Sequence, residues 1–335
     1  MKIVRTDAEL QTPITDTALR DAGHDLVTLP DGIDEDSLIA AVADADLLLM
    51  CYTPITVRVI DAAPNLRGIV KYGVGIDAID IPAAKARGIT VVNIPEYAEE
   101  TVAEGAFALM IALARKLIPL DRKMRADGWA WPEPTWMGND IAGKTIGIVG
   151  FGKIGRSMAR MCGQGFRANV IAYSPHTPAS DMEAVGVTRC ETLLDLLAQA
   201  DIISIHCVLN ANTHHLIGEA ELRAMQPHAH LINVSRGAIV DEAALVRALQ
   251  EGWIAGAGLD VFSDEPLRRD GHMISPLFEM DNVILSPHLT FYTAEAMERL
   301  ERETLERCNE MIEGRPVLVK STDPRLQDQP GATYP

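Results

Sequence analysis

Thr145-Ile-Gly-Ile-Val149 runs straight into Gly150-Phe-Gly152-Lys-Ile-Gly155-Arg156, and an amphipathic stretch follows to residue 162. A lone GxGxxG is a weak signal. Here an apolar strand candidate precedes it and a helix candidate opens from it, which is the context the motif needs. Gly150 permits the tight turn, Gly152 lets backbone approach a pyrophosphate, and Gly155 lets the helix pack close to the strand. The helix start offers unpaired N–H groups and positive potential to phosphates. An ordinary glycine-rich strand–helix turn has similar spacing, but the flanking pattern favours dinucleotide binding.

Outward from this turn the chain keeps alternating. Strand candidates follow at 169–173, 201–206, 230–233, 256–261 and 282–285, with helix candidates at 193–198, 219–225 and 242–250. Before it, strands are expected at 1–5, 25–29, 45–51, 68–72 and 90–93, with helices at 13–22, 36–42, 56–62 and 81–86. Strands alternating with short helices predict parallel pairing and an α/β layer fold. The runs 45–51 and 68–72 are almost wholly apolar, as strands covered on both faces should be. Residues 99–118 are apolar nearly all round, with acids early and Arg115 and Lys116 late, and predict one buried helix. A Trp- and Pro-containing loop is expected at 127–140. A last amphipathic helix is expected at 293–313, stopped by Gly314 and Pro316, and the polar tail 321–335 is expected to be loosely ordered.

The 335 residues carry 47% hydrophobic and 23% charged side chains, which is globular and ample for about two domains. No run of roughly 18 apolar residues exists, so no membrane span is expected. Residues 1–7 hold no apolar signal region, and five scattered cysteines form no CxxC pair. Together these suit a reducing cytoplasm without disulfides or a zinc site. A net charge of −17 disfavours binding to nucleic acid or anionic membrane. Any anionic ligand then depends on local donors.

Three polar segments follow later strands: Asn233-Val-Ser235-Arg236-Gly237, Gly258-Leu-Asp260 through Asp264-Glu265-Pro266, and Ser286-Pro287-His288. Ligands of open α/β sheets bind beyond the carboxyl ends of strands, so Arg236, Glu265 and His288 are placed to converge. Arg suits a carboxylate, and His beside a carboxylate suits proton transfer near neutral pH. Singly, each reads more plainly as a surface charge or a structural histidine; together with the glycine turn they indicate an active site. His206 reads as structural. His214 and His215, being adjacent, are expected to point apart and bind no metal. At the end of the second strand Ser174 stands 24 residues after Gly150, where NAD enzymes carry an acid for the ribose. That admits a 2′-phosphate, but no Lys or Arg lies between 170 and 188 to hold it. The expectation is NAD, with NADP also admitted and reduced discrimination between the two.

The chain resembles the D-isomer-specific 2-hydroxyacid dehydrogenases over about residues 46–313. The matching pieces are Lys71-Tyr-Gly-Val-Gly-Ile-Asp77, Glu100-Thr-Val-Ala-Glu104, Gly150 to Gly155, Asn233 to Gly237, Gly258 to Phe262 with Glu265-Pro266, and Ser286-Pro-His288. His214-His215-Leu-Ile217 and Phe291-Tyr292 look most like the C-terminal-binding-protein branch. The resemblance implies two Rossmann-like or flavodoxin-like domains, a substrate domain of residues 1–98 plus 291–335 interrupted by a cofactor domain of 99–290. It implies His288 as proton donor, Glu265 as its acid partner, and Arg236 as the group gripping substrate carboxylate and keto oxygen. Cofactor contacts are implied at Thr101, Gly150, Gly152, Lys153, Ile154, Gly155, Ser174, Cys207, Val208, Thr213, Val234 and Asp260. Substrate contacts are implied at Tyr52, Val74, Gly75, Arg236 and Phe291; Phe291 reads equally well as packing of the domain crossing. No metal is implied. The expected activity is interconversion of a small 2-keto acid and a D-2-hydroxy acid with NAD or NADP, by a homodimer. A cofactor-sensing corepressor scaffold and a formate or phosphite dehydrogenase remain the alternatives on the same fold.

Overall fold

The computed structural model describes residues 1–335, and the alternation becomes two separate parallel sheets. The chain divides into one unit of Met1–Ala98 with Thr293–Pro335 and another of Glu99–Tyr292. Phe291 and Tyr292, expected with the first unit, fall in the second. Tyr292 N–H closes a turn onto Leu289 O, and the Phe291 ring lies edge-on to His288, so both residues continue the His288 loop.

In the first unit, strands β1 (Lys2–Arg5), β2 (Asp25–Thr28), β3 (Leu47–Met50), β4 (Gly68–Lys71) and β5 (Thr90–Asn93) lie in the order β2-β1-β3-β4-β5. β3, β4 and β5 are buried at every residue, which accounts for the apolar run Leu47–Met50 and the apolar centres of the other two, with Lys71, Thr90 and Asn93 as buried polar ends. The helix Ala294–Ile312 returns to this unit and docks on Pro13–Asp21. Its buried Glu301 accepts from the N–H groups of Ile14 (2.6 Å) and Thr15 (3.1 Å). Thr12, at the N-cap, makes no side-chain cap of its own. A carboxylate from the far end of the chain therefore satisfies the first donors of that helix and meets its positive end.

The tail does not hang loose. β13 (Val317–Leu318) pairs with β14 (Ala332–Thr333), and between them Leu326 is fully buried. The Gln329 amide accepts from Val91 N–H and donates to Val91 O, both at 2.8 Å. A side chain thus imitates a neighbouring strand and covers the open edge at β5. Its polar composition concealed this, because the ordering force is a pair of long-range hydrogen bonds, not an apolar pattern.

In the second unit, β6 (Thr145–Val149), β7 (Asn169–Tyr173), β8 (Thr188–Arg189), β9 (Ile202–Ile205), β10 (His230–Asn233), β11 (Gly256–Leu259) and β12 (Val283–Leu285) lie in the order β12-β11-β10-β9-β6-β7-β8. All strands run parallel, and the order in which successive strands are added reverses between β6 and β9, the switch point at which such sheets bind ligands. Apolar cores cover both faces: Ile146, Ile148 and Ile232 on one side, Ile203, Ile205 and Leu231 on the other. The expected single helix 99–118 is two helices, Glu99–Ala114 and Leu117–Asp127. Lys116 is left-handed between them (φ 52°). Pro119 explains the break: it has no N–H to continue the first helix, whereas in the first turn of the second that donor is not needed.

Candidate active site

The glycine turn has the form its sequence asked for. Gly150 has φ +95°, and a Cβ there would meet Cys207 N at 2.5 Å. A Cβ on Gly155 would meet Gly150 O at 2.2 Å, so helix and turn touch backbone to backbone. At Gly152 a Cβ would meet nothing within 4 Å, and no side chain caps the helix Lys153–Arg160. Open space beside an uncapped helix start suits a pyrophosphate. Of the other implied cofactor residues, Thr101 and Val234 are buried, Ile154 packs on the core, and Val208 is exposed. Lys153 reaches Glu99 at 3.4 Å, and Thr213 Oγ1 donates to Val208 O at 2.6 Å. Burial pushes the half-buried Cys207 thiol up to about 11, so it stays protonated.

Beyond β10, β11 and β12 the three chemical residues are held by their own loops. Asn233 Nδ2 donates to Arg236 O and its Oδ1 accepts from Ser235 N–H, folding the turn that presents Arg236. Gly237 follows because a Cβ there would overlap the Phe262 backbone at 2.0 Å. Glu265 Oε1 accepts from Phe262 N–H at 2.8 Å, while Oε2 lies 2.8 Å from His288 Nδ1. Burial works to raise the Glu265 carboxyl. The hydrogen bond and charge of His288, the Phe262 N–H and the Arg236 guanidinium outweigh it and hold the group below its ordinary range.

Asp260 is fully buried, and its two oxygens accept from Leu289 N–H, Thr290 N–H and Thr290 Oγ1. This places Asp260 as the anchor of the loop bearing His288, itself in a left-handed conformation at φ 58°. No pattern in the sequence announces that contact, which joins two loops 29 residues apart. Phe291 is buried with its ring 6.4 Å from the imidazole.

Tyr52, Val74 and Gly75 lie on the first unit, beyond the carboxyl ends of β3 and β4. Tyr52 and Val74 are exposed. Sequence reasoning missed Asp7, which positions this edge. It is left-handed (φ 56°) and buried, and its Oδ2 accepts from the N–H groups of Cys51, Tyr52 and Thr53. Its only outward sign is an acid two residues past the first strand.

Three other expectations meet the structure here. His206 is a structural residue: its Nε2 lies 2.8 Å from Ser204 Oγ, and burial lowers its pKa to about 3, leaving it neutral. His214 and His215 do not point apart. Their rings stack at 4.0 Å, because His215 is left-handed (φ 51°) and swings back over its neighbour. The turn after β7 also has a basic neighbour, Arg189, one residue past the stretch that lacks them, whose Nη1 donates to Thr177 O at 3.1 Å.

Residues 107–290 match the profile of the D-isomer specific 2-hydroxyacid dehydrogenase, NAD binding domain. Glyoxylate reductase of Korarchaeum cryptofilum is 42% identical over 266 residues, 78% of each chain. The crystal structure of D-lactate dehydrogenase from Aquifex aeolicus complexed with NAD and lactic acid is 30% identical, with a TM-score of 0.83 over 93% of this chain and 96% of that one. An acyclic imino acid reductase in complex with NADPH and D-Arg is 29% identical, with a TM-score of 0.81 over 93% and 97%. With the glycine turn, the Arg–Glu–His set and these likenesses in agreement, the chain belongs to the D-isomer-specific 2-hydroxyacid dehydrogenase family, NAD(P)-dependent oxidoreductases that interconvert 2-keto and D-2-hydroxy acids.

Proposed function

We propose that this enzyme reduces a short 2-keto acid, glyoxylate or hydroxypyruvate, to the 2-hydroxy acid. The observation that carries the reading is the His288–Glu265 pair with Arg236 charged beside it, at the carboxyl edge of the cofactor-binding sheet. When bound, a nicotinamide dinucleotide supplies the hydride. Its phosphates would be held by the Gly150–Gly155 turn, and Thr101, Lys153, Ile154, Ser174, Cys207, Val208, Thr213 and Val234 would line the rest, with Asp260, implied as a cofactor contact, serving from its buried position as the anchor of the His288 loop. Arg236 binds the substrate carboxylate and polarises the keto oxygen. Phe291, packed beside His288, keeps the side-chain end narrow.

As charge grows on the keto oxygen, Arg236 stabilises it and His288 delivers a proton. Nδ1 is engaged by Glu265, so delivery falls to Nε2. The carboxylate orients the ring through that contact. Oxidation of NADH and NADPH against glyoxylate, hydroxypyruvate, 3-phosphohydroxypyruvate and a branched keto acid tests the reading. The two short acids should turn over best, and no turnover of any keto acid would overturn it.

Two further expectations belong to this reading. Glu265→Gln keeps a hydrogen-bonding group but removes the carboxyl that is held below its ordinary range. The acid limb that Glu265 gives the kcat/KM profile should then disappear, and a limb left in place removes Glu265 from its assigned role. A second copy of the chain is expected to cover the second unit's exposed apolar arm, where Trp131 and Met137 are each 72% accessible and Leu117, Ile118 and Trp129 lie open nearby in sequence. Light scattering at twice the chain mass checks the homodimer, and Trp131→Glu should shift it toward monomer. The five cysteines are all free thiols, which supports a cytoplasmic setting.

A further inference from the structure

We propose that the C-terminal tail, residues 320–335, is a strap that holds the turn Gly73–Asp77 in its ligand-receiving form, with Arg325 as the positioning residue. Affinity for the keto acid then depends on the strap, and affinity for the dinucleotide does not. The inference rests on the keto-acid reading and adds to it a residue that acts through the first unit.

The turn needs support from outside itself. It leaves β4 at the carboxyl edge of the first sheet, the edge at which open α/β sheets take ligands. Its backbone neither continues the strand nor enters a helix, and Val74 within it is exposed. Gly73 has φ +150°, and a Cβ there would meet Lys71 Nζ at 2.7 Å. Two supports come from the end of β5. Gly73 O accepts from Ile94 N–H at 3.1 Å, and Val74 O accepts from Asn93 Nδ2 at 2.6 Å. A third comes from the tail, where Arg325 Nη1 lies 3.3 Å from Asp77 Oδ1.

The tail reaches all three. Asp323 accepts from Arg325 Nε and Nη2, at 3.1 and 2.8 Å, so the planar fork is fixed with Nη1 turned toward Asp77. The neighbouring Leu326 is fully buried, and Lys85 Nζ donates to Gln327 O at 2.5 Å, which seats this stretch on the first unit. Further along, Gln329 pairs with Val91, and Thr90 Oγ1 donates to Pro330 O at 2.6 Å. Those contacts fasten the outer edge of β5, the strand whose last residue is Asn93. The strap therefore meets the turn directly through Arg325 and again through the strand that carries Asn93. An ion pair whose side chains are 46% and 37% exposed adds little to overall stability. Its effect is local: it keeps ordered a loop that a ligand would otherwise have to order on binding.

The test is Arg325→Ala in the full chain, read by kinetics with glyoxylate and by amide hydrogen exchange. KM for glyoxylate should rise about fivefold, the low end of ordinary coupling between two sites, while kcat and NADH affinity keep their wild-type values. Arg325→Lys should restore part of the loss. Amides of residues 74–77 should exchange faster in Arg325→Ala, and those of 153–160 should keep their protection. An unchanged KM, or unchanged exchange at 74–77, overturns the inference. Equal losses in KM, kcat and NADH affinity, or a lowered Tm of the whole chain, reduce Arg325 to a structural residue and overturn it too. If the wild-type chain turns over no keto acid, the functional reading fails, and the exchange comparison alone decides whether the strap holds the turn.

Discussion

His288→Gln lowers kcat for keto-acid reduction about 10²–10⁴-fold, the ordinary worth of a positioned proton donor. Dinucleotide affinity, read by fluorescence titration, stays at the wild-type value. Gln occupies similar space and its amide N–H can still meet Glu265, so the loop held by Asp260 has no cause to move. What it lacks is a proton to give at the pH of the reaction. The barrier then rises by about 1.4 kcal/mol for each decade lost. Near-normal kcat in this variant would refute proton delivery by His288, and parallel loss of cofactor binding would show that the loop itself had collapsed.

Arg236→Gln acts on a different quantity. The guanidinium is expected to grip the carboxylate in the ground state and to meet growing charge on the keto oxygen. The variant should therefore lose in KM for the keto acid and in kcat together, about 10²–10³-fold in kcat. Arg236→Lys should recover little, because a point charge cannot span carboxylate and keto oxygen with a planar fork. A second readout separates this from mere misfolding. Burial raises the Glu265 carboxyl and His288 does most to lower it, but Arg236 contributes to the lowering as well. Without Arg236, Glu265 takes up its proton at higher pH, so the acid limb of the rate profile should move upward. A loss confined to KM, with the limb unmoved, would leave Arg236 as a binding group alone.

Much of the site was legible before folding, for a physical reason. Gly150, Gly152 and Gly155 sit in a short local motif, and their role is decided within a dozen residues of chain. Arg236, Glu265 and His288 each follow a recognisable strand, and parallel sheets gather such loops at one edge. Residues that act by reaching between loops were not legible. Asp7 organises Cys51 to Thr53, and Asp260 anchors Leu289 and Thr290, through contacts spanning dozens of residues. Helix continuity through Lys116 was misread because an apolar pattern outweighed the proline just beyond it.

The order of strands and helices, the glycine turn and the candidate reacting side chains can be read from chain order, because period and short-range geometry specify where they fall. Three matters waited for the packed molecule. Gln329 closes a sheet edge 238 residues away, Glu301 caps a helix 287 residues away, and Arg189 crosses from one strand to the turn of another. Each is a polar group whose partner lies on another element, from 12 to 287 residues away. Hydrogen bonds of this kind leave no periodic trace, and only when the backbone is folded does it become plain which donor stands within reach of which acceptor.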